Sequence, residues 1–189
     1  LGSFIFPTIL SHSKLEEAVC HRLAQRLNHT DVDAGRIAQT FQSALEKDPD
    51  LGNIFRADLA AVFDRDPACT RYLDPLLYFK GFHALVTYRF PHALWKRGRR
   101  DFALYLQSQS SRMFGVDIHP GARFGKGIML AHATGFVVGE TAVVGDNCSF
   151  LHAVTLGGSG KETGDRHPKI GDNVLVGAGA KILGNIKVG

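Results

Sequence analysis

Of the nine histidines in this 189-residue chain, His132 stands where chemistry is expected. It lies in Ala131–His132–Ala133–Thr134–Gly135, at a point where a regular repeat slips by two positions. An imidazole with an unperturbed pKa near 6.5 can take and return a proton at neutral pH, which suits it to general-base work on a weak nucleophile. Such a base needs an acceptor nitrogen aimed at its target and a partner, usually a carboxylate, holding the other ring nitrogen. Further along, Gly157–Gly158–Ser159–Gly160–Lys161 offers a run of backbone N–H groups and one positive charge, suited to an anionic group. It lacks the spacing of a Walker A loop.

These residues are carried on two kinds of element. From Ile118 onward bulky residues recur every six positions: Ile118, Phe124 and Leu130, then after the slip Val138, Val144, Phe150 and Leu156, and after an interruption Ile170, Val176, Ile182 and Val188. Small residues follow at Gly125, Gly139, Gly145, Gly171 and Gly177. That pattern predicts a parallel β-helix of hexapeptides, three short strands to a triangular coil. The stretch Gly157–Lys169 cannot continue a coil and is predicted to loop out, so both irregularities are candidate site elements.

Residues 11–113 read instead with helical spacing. Ser13 and Glu16 make a capping box before Leu15, Val19, Leu23 and Leu27. Thr30 with Asp33 opens a second helix carrying Ile37, Phe41 and Leu45, and a third covers Leu51–Phe63 and ends before Pro67. A fourth is predicted from Pro75 through Phe90, with Pro91 kinking or interrupting it, and a fifth over Arg99–Met113. The expected fold is therefore α+β: a helical N-terminal domain over 1–114, then a left-handed parallel β-helix over 115–189.

Composition narrows the class. Hydrophobic content of 44% and charged content of 21% fit a globular chain rather than a disordered one. Net charge is +4, but the basic residues are scattered. Lys96–Arg97–Gly98–Arg99–Arg100 reads as a solvated helix junction rather than a nucleic-acid surface. Three cysteines without CxxC spacing argue against a disulfide framework and fit a reducing cytoplasm. No apolar run reaches membrane-span length. Leu1–Leu10 lacks a basic leader, so it reads as a core or interface segment rather than a signal peptide. The chain opens without Met and stops mid-repeat at Gly189, which predicts further coils beyond it.

Five strings carry a specific likeness: Asp117–Ile118–His119–Pro120, His132–Ala133–Thr134–Gly135, Gly139–Glu140–Thr141, Val154–Thr155–Leu156–Gly157–Gly158 and Gly164–Asp165–Arg166–His167–Pro168–Lys169–Ile170. Together with Asp66–Pro67 and Pro75–Leu85, they resemble the serine O-acetyltransferase family over almost the whole chain. The resemblance implies acetyl transfer from acetyl-CoA, as co-substrate, to the hydroxyl of L-serine, giving O-acetylserine for cysteine biosynthesis. It implies no permanently bound cofactor and no metal. It assigns the base to His132 and the orienting carboxylate to Asp117, expected near one another on consecutive turns, with direct transfer and no acyl-enzyme.

By the same resemblance Arg166 and His167 receive the substrate carboxylate, and Asp66 receives its ammonium. Family members carry an aspartate directly before the catalytic histidine, where this chain has Ala131, so serine capture is expected to be weaker. Coenzyme A is expected along Gly158, Ser159, Gly160 and Lys161 and the small residues Ala178 and Gly179. Contact along flat coil faces predicts a homotrimer, and the resemblance adds a dimer of trimers through the helical domain. It also adds docking of O-acetylserine sulfhydrylase on a C-terminal tail beyond these residues. No nucleic-acid or membrane partner is implied.

Other readings stand beside these. His132 can be a plain coil-corner residue, Asp66 a helix-terminal carboxylate, Gly157–Gly160 a flexible turn, and Cys148 packing. His119 and His152 read as structural or exposed. Rival functions are another hexapeptide acyltransferase, a zinc carbonic anhydrase of the same fold using His119, His132 and His152 across subunits, and a scaffold whose catalysis is weakened or lost at Ala131.

Overall fold

In the computed structural model, which describes residues 1–189, seven α-helices precede eleven short strands. The helices are α1 (Gly2–Ile5), α2 (Leu15–Leu27), α3 (Ala34–Lys47), α4 (Asp50–Arg65), α5 (Leu73–Leu77), α6 (Lys80–Lys96) and α7 (Arg100–Phe114), with a π-helical turn at Phe6–Leu10. The strands are β1 (Val116–Ile118), β2 (Arg123–Phe124), β3 (Met129–Leu130), β4 (Phe136–Val138), β5 (Val143–Val144), β6 (Ser149–Phe150), β7 (Thr155–Gly157), β8 (Lys169–Ile170), β9 (Leu175–Val176), β10 (Lys181–Leu183) and β11 (Lys187–Val188).

The strands form three parallel sheets, β1-β4-β7-β10, β2-β5-β8-β11 and β3-β6-β9, the three walls of a left-handed β-helix. The six-residue period becomes three ladders of inward side chains. Ile118, Val138, Leu156 and Ile182 stack in the first sheet, Phe124, Val144, Ile170 and Val188 in the second, and Leu130, Phe150 and Val176 in the third. The strands of the inner coils, β4 to β8, pair with the coil on each side, so their backbone groups are satisfied between coils.

The helices cover one end of this prism rather than standing apart. A single apolar cluster of 42 buried residues runs from Val19 in α2 to Val176 in β9. Phe90 of α6 stacks on Phe41 at 3.9 Å. A buried ion pair fastens the join. Arg89 of α6 meets Asp58 of α4 at 2.9 Å and donates to the carbonyls of Phe124 and Gly125, while Asp58 accepts the Ile128 N–H. Full hydrogen bonding of both charges is what makes such a buried pair tolerable.

Three local expectations are corrected. Glu17, not Glu16, accepts the Ser13 N–H, because Glu16 is drawn into an ion pair with Arg56. Asp33 caps α3 by accepting the Arg36 N–H at 3.0 Å, without Thr30. The chain breaks at Tyr78–Phe79 rather than at Pro91, which lies inside α6. That helix is buried on nearly every side, and tertiary packing holds turns that a proline's missing N–H would otherwise weaken. The basic cluster folds back on aromatic rings, Arg100 over Trp95 at 4.7 Å and Arg99 over Phe102 at 5.8 Å.

Candidate active site

The prism's corners carry the chemistry. His132, His152 and Ala178–Gly179 occupy equivalent corners, between third-sheet and first-sheet strands of successive coils. His132 and Ala133 take left-handed backbone (φ 58° and 60°), and Ala153 does so one coil on (φ 57°). This is the two-residue slip in the repeat. The chain doubles back there, and the exposed His132 ring comes to lie edge-to-face with that of His152, centroids 6.3 Å apart.

His132 also lines a cavity of about 470 Å³ where the helices meet the first coil. Asp66, Ala131, Lys80 and Thr134 line it too, with Met129, Phe79 and Phe82 among its apolar walls. Asp66 follows the last residue of α4, and one of its oxygens accepts the Ala68 N–H at 2.9 Å. It is thus both a turn-forming carboxylate and a wall of the cavity. The neighbouring Arg65 reaches the carbonyls of Gly127 and Asn147 at 3.0 and 3.1 Å, fixing the end of α4 against two coils. Lys80, at the start of α6, donates to the Thr134 hydroxyl. Next to it, Gly81 presses on the strand that leads into His132. A Cβ there would sit 1.9 Å from the Leu130 carbonyl oxygen, so only glycine permits this approach.

Arg166 and His167 do not join this cavity. They belong to the opposite corner of the first sheet, where the excursion 158–168 returns to β8. Glu140 holds Arg166 through Nη2 at 3.0 Å, and that pairing is the main reason its carboxyl is held below the usual range. Thr141 gathers the rest. Its hydroxyl accepts the N–H groups of Arg166 and His167 at 3.0 and 3.2 Å, and it lies 2.8 Å from His167 Nδ1. The Thr141 N–H points at the same nitrogen, 3.1 Å away. Burial, then the charges of Arg166 and Lys169, push the His167 pKa down. Gly158 lies against this pair, with a Cβ position 3.6 Å from His167 Nε2, whereas Ser159, Gly160 and Lys161 are exposed.

Asp117 lies apart from the His132 of its own chain. In the first sheet it pairs in register with Val137 rather than with the His132 corner, and no hydrogen bond joins it to His132. Its Oδ1 accepts from Gln107 Nε2 of α7 at 2.6 Å. His119, two residues on, packs edge-on to Trp95 at 5.0 Å and accepts the Gly121 N–H. Within one chain, then, Asp66, Ala131 and His132 share a cavity, His152 and Ala178–Gly179 continue its corner, and Asp117, Arg166 and His167 lie apart.

Comparison with known proteins bears on this arrangement. The family described as serine acetyltransferase, N-terminal, matches residues 1–87. Serine acetyltransferase of Salmonella typhimurium strain LT2 is 53% identical over 189 residues, all of this chain and 69% of that protein. The chain belongs to the serine acetyltransferase family. It also matches serine acetyltransferase 1, chloroplastic, of Arabidopsis thaliana at 52% identity over 188 residues, and spans 60% of that relative's length. Among solved structures, serine acetyltransferase of Brucella abortus strain S19 in complex with coenzyme A superposes with a TM-score of 0.99 at 61% identity, covering 100% of this chain and 76% of that one.

For a serine acetyltransferase family member, the residues that sequence reasoning passed over are instructive. His152, expected to be structural or exposed, is exposed, and its ring faces that of His132. The six-residue period, counted through the slip, puts both at the same corner and could have paired them. Glu140 and Thr141 fall in the string Gly139–Glu140–Thr141, where local pattern gives them no role. Their partners lie 26 and 25 residues away across the looped-out segment, a distance no local pattern encodes.

Proposed function

We propose that the protein transfers the acetyl group of acetyl-CoA to the hydroxyl of L-serine, with His132 as general base. The observation that carries this reading is the titratable ring of His132 on a cavity that also holds Asp66 and Ala131, in a chain of this family. The imidazole takes the serine hydroxyl proton as the oxygen attacks the thioester carbonyl. The carbon–sulfur bond then breaks, and the imidazolium returns the proton to the departing thiolate, so no acyl-enzyme forms.

The site is completed by a second copy of the chain. His132 lies at one edge of the first sheet, and Arg166 and His167 at the other, with Asp117 on the sheet between. A ring of three copies pairs unlike surfaces, so one copy's His132 corner faces its neighbour's Arg166 corner. Arg166 and His167 then receive the serine carboxylate, and Asp117 steadies the neighbour's His132. Asp66 takes the ammonium, unaided at Ala131. Coenzyme A runs down the corner from His132 past His152 to Ala178 and Gly179, with Gly158, Ser159, Gly160 and Lys161 meeting its far parts. Two trimers associate through the helices, and O-acetylserine sulfhydrylase docks on a segment beyond these residues.

No helix is long and apolar enough to cross a membrane; the reading places the enzyme in the cytoplasm, a reducing compartment that suits three buried free thiols. The test is incubation of the complete protein with acetyl-CoA and L-serine, reading free CoA thiol and identifying O-acetylserine by mass spectrometry. Thiol release that is independent of serine, or an acetylated product other than O-acetylserine, overturns the reading.

A further inference from the structure

We infer that Thr141 is a positioning residue that locks the His167 ring in one tautomer, with Nδ1 as acceptor and Nε2–H as a donor presented toward Gly158. The inference rests on the reading that Arg166 and His167 receive an anionic oxygen of the acceptor, and names the form in which His167 does so. A backbone N–H can only donate, and that of Thr141 points at His167 Nδ1 at 3.1 Å. That nitrogen therefore carries no proton, and in the neutral ring the proton sits on Nε2. The Thr141 hydroxyl agrees. With both lone pairs engaged by the N–H groups of Arg166 and His167, its one proton is free to go to Nδ1 at 2.8 Å. One threonine thereby fixes the ring's tautomer, the ring's place and the backbone of Arg166.

Nε2 has no partner in the chain, although His167 as a whole is buried. It overhangs Gly139, where a Cβ would lie 1.9 Å away, and faces Gly158. A neutral donor here complements the Arg166 cation: one group supplies charge, the other direction. The charged and titratable groups around the ring are Arg166, Lys169, Glu140 and His119. The two cations lie close, Lys169 Nζ donating to the His167 carbonyl at 2.6 Å, and they oppose a second proton on the ring. Asp165, paired with Lys169 at 2.6 Å, is the one rival acceptor for the Thr141 hydroxyl. The backbone N–H contact holds Nδ1 unprotonated in either case.

The test is nitrogen NMR of histidine-labelled complete protein at neutral pH, with the His167 resonances assigned by their loss in His167→Asn. The expected spectrum has His167 Nδ1 in the unprotonated range and Nε2 in the protonated range. Steady-state kinetics of Thr141→Val and Thr141→Ser complete it. The valine variant is expected to raise KM for serine about tenfold or more while kcat falls less, and the serine variant to stay within about threefold of the parent. A protonated Nδ1, or an even mixture of tautomers in the parent protein, overturns the proposal even if the valine variant fails to fold. A valine variant with unchanged KM overturns the part of the proposal in which the Thr141 hydroxyl places the ring and Arg166, since that variant keeps the backbone N–H that fixes the tautomer. If the protein transfers no acetyl group to serine, the kinetic arm fails for the function, while the spectrum still decides the tautomer.

Discussion

Replacing Gly81 with alanine separates the placement of His132 from the stability of the fold. The new methyl would lie 1.9 Å from the Leu130 carbonyl oxygen, 3.0 Å from its carbonyl carbon and 3.4 Å from its Cβ. Relief to ordinary contact requires the start of α6 and the end of β3 to part by about 1.5 Å. Both are braced, α6 by burial and β3 by pairing of Leu130 with Phe150. Overpacking of this kind costs about 1–3 kcal/mol, while alanine gains about 1 kcal/mol over glycine inside a helix. The net loss of stability is therefore about 0–2 kcal/mol, a fall in melting temperature below roughly 8 °C. Function has no such offset. Leu130 is two residues before His132, and a displacement near 1 Å at a reacting group costs about a hundredfold. The expected result is a folded protein whose kcat/KM for serine is about a hundred times lower, read by thiol release beside thermal melting. A variant within threefold of the parent would refute the reasoning that this contact places the base.

Other outcomes follow from the same geometry. Ala131→Asp should restore a carboxylate beside the base and lower KM for serine about tenfold, a charge-assisted contact being worth about 1.5–3 kcal/mol; an unchanged KM in initial-rate assays counts against the cavity as the serine site. Glu140→Gln should free Arg166 and raise KM for serine with little change in melting temperature, since half-exposed ion pairs contribute about 0–1 kcal/mol to stability. Under the proposed site shared between two copies, copies carrying His132→Ala, refolded together with copies carrying Asp117→Ala, should recover measurable activity that neither has alone. On the acid side, burial holds the His83 pKa near 4, so the unfolded chain binds the extra proton between about 6.5 and 4. Stability should therefore fall as pH drops through that window, and denaturant titrations of His83→Gln should show a shallower fall.

The β-helix was legible because each inward residue must match the one above it: the sixth-residue count through Ile118, Phe124 and Leu130 is the ladder itself. His132 was legible for the opposite reason, as the place where that count slips. Features fixed by distant partners were not. Glu16 has the spacing of a capping residue, yet Arg56, 40 positions away, takes it. Pro91 has the local chemistry of a helix break, but burial of α6 on both the helical and the coil side overrides it. Asp117 and Arg166 are expected around one histidine, and the chain puts Arg166 at the opposite corner of the first sheet and Asp117 on the sheet between. A single chain's sequence carries no term for contacts with another copy.

The central claim, that His132 is the base of an acetyl transfer to serine, is tested most directly by His132→Ala in the complete protein. Free CoA thiol is followed with acetyl-CoA and L-serine, with parent and variant matched for folded content. The account predicts serine-dependent release by the parent and a loss of about a hundred- to ten-thousandfold in kcat for the variant. Release by the variant at the parent's rate would contradict it.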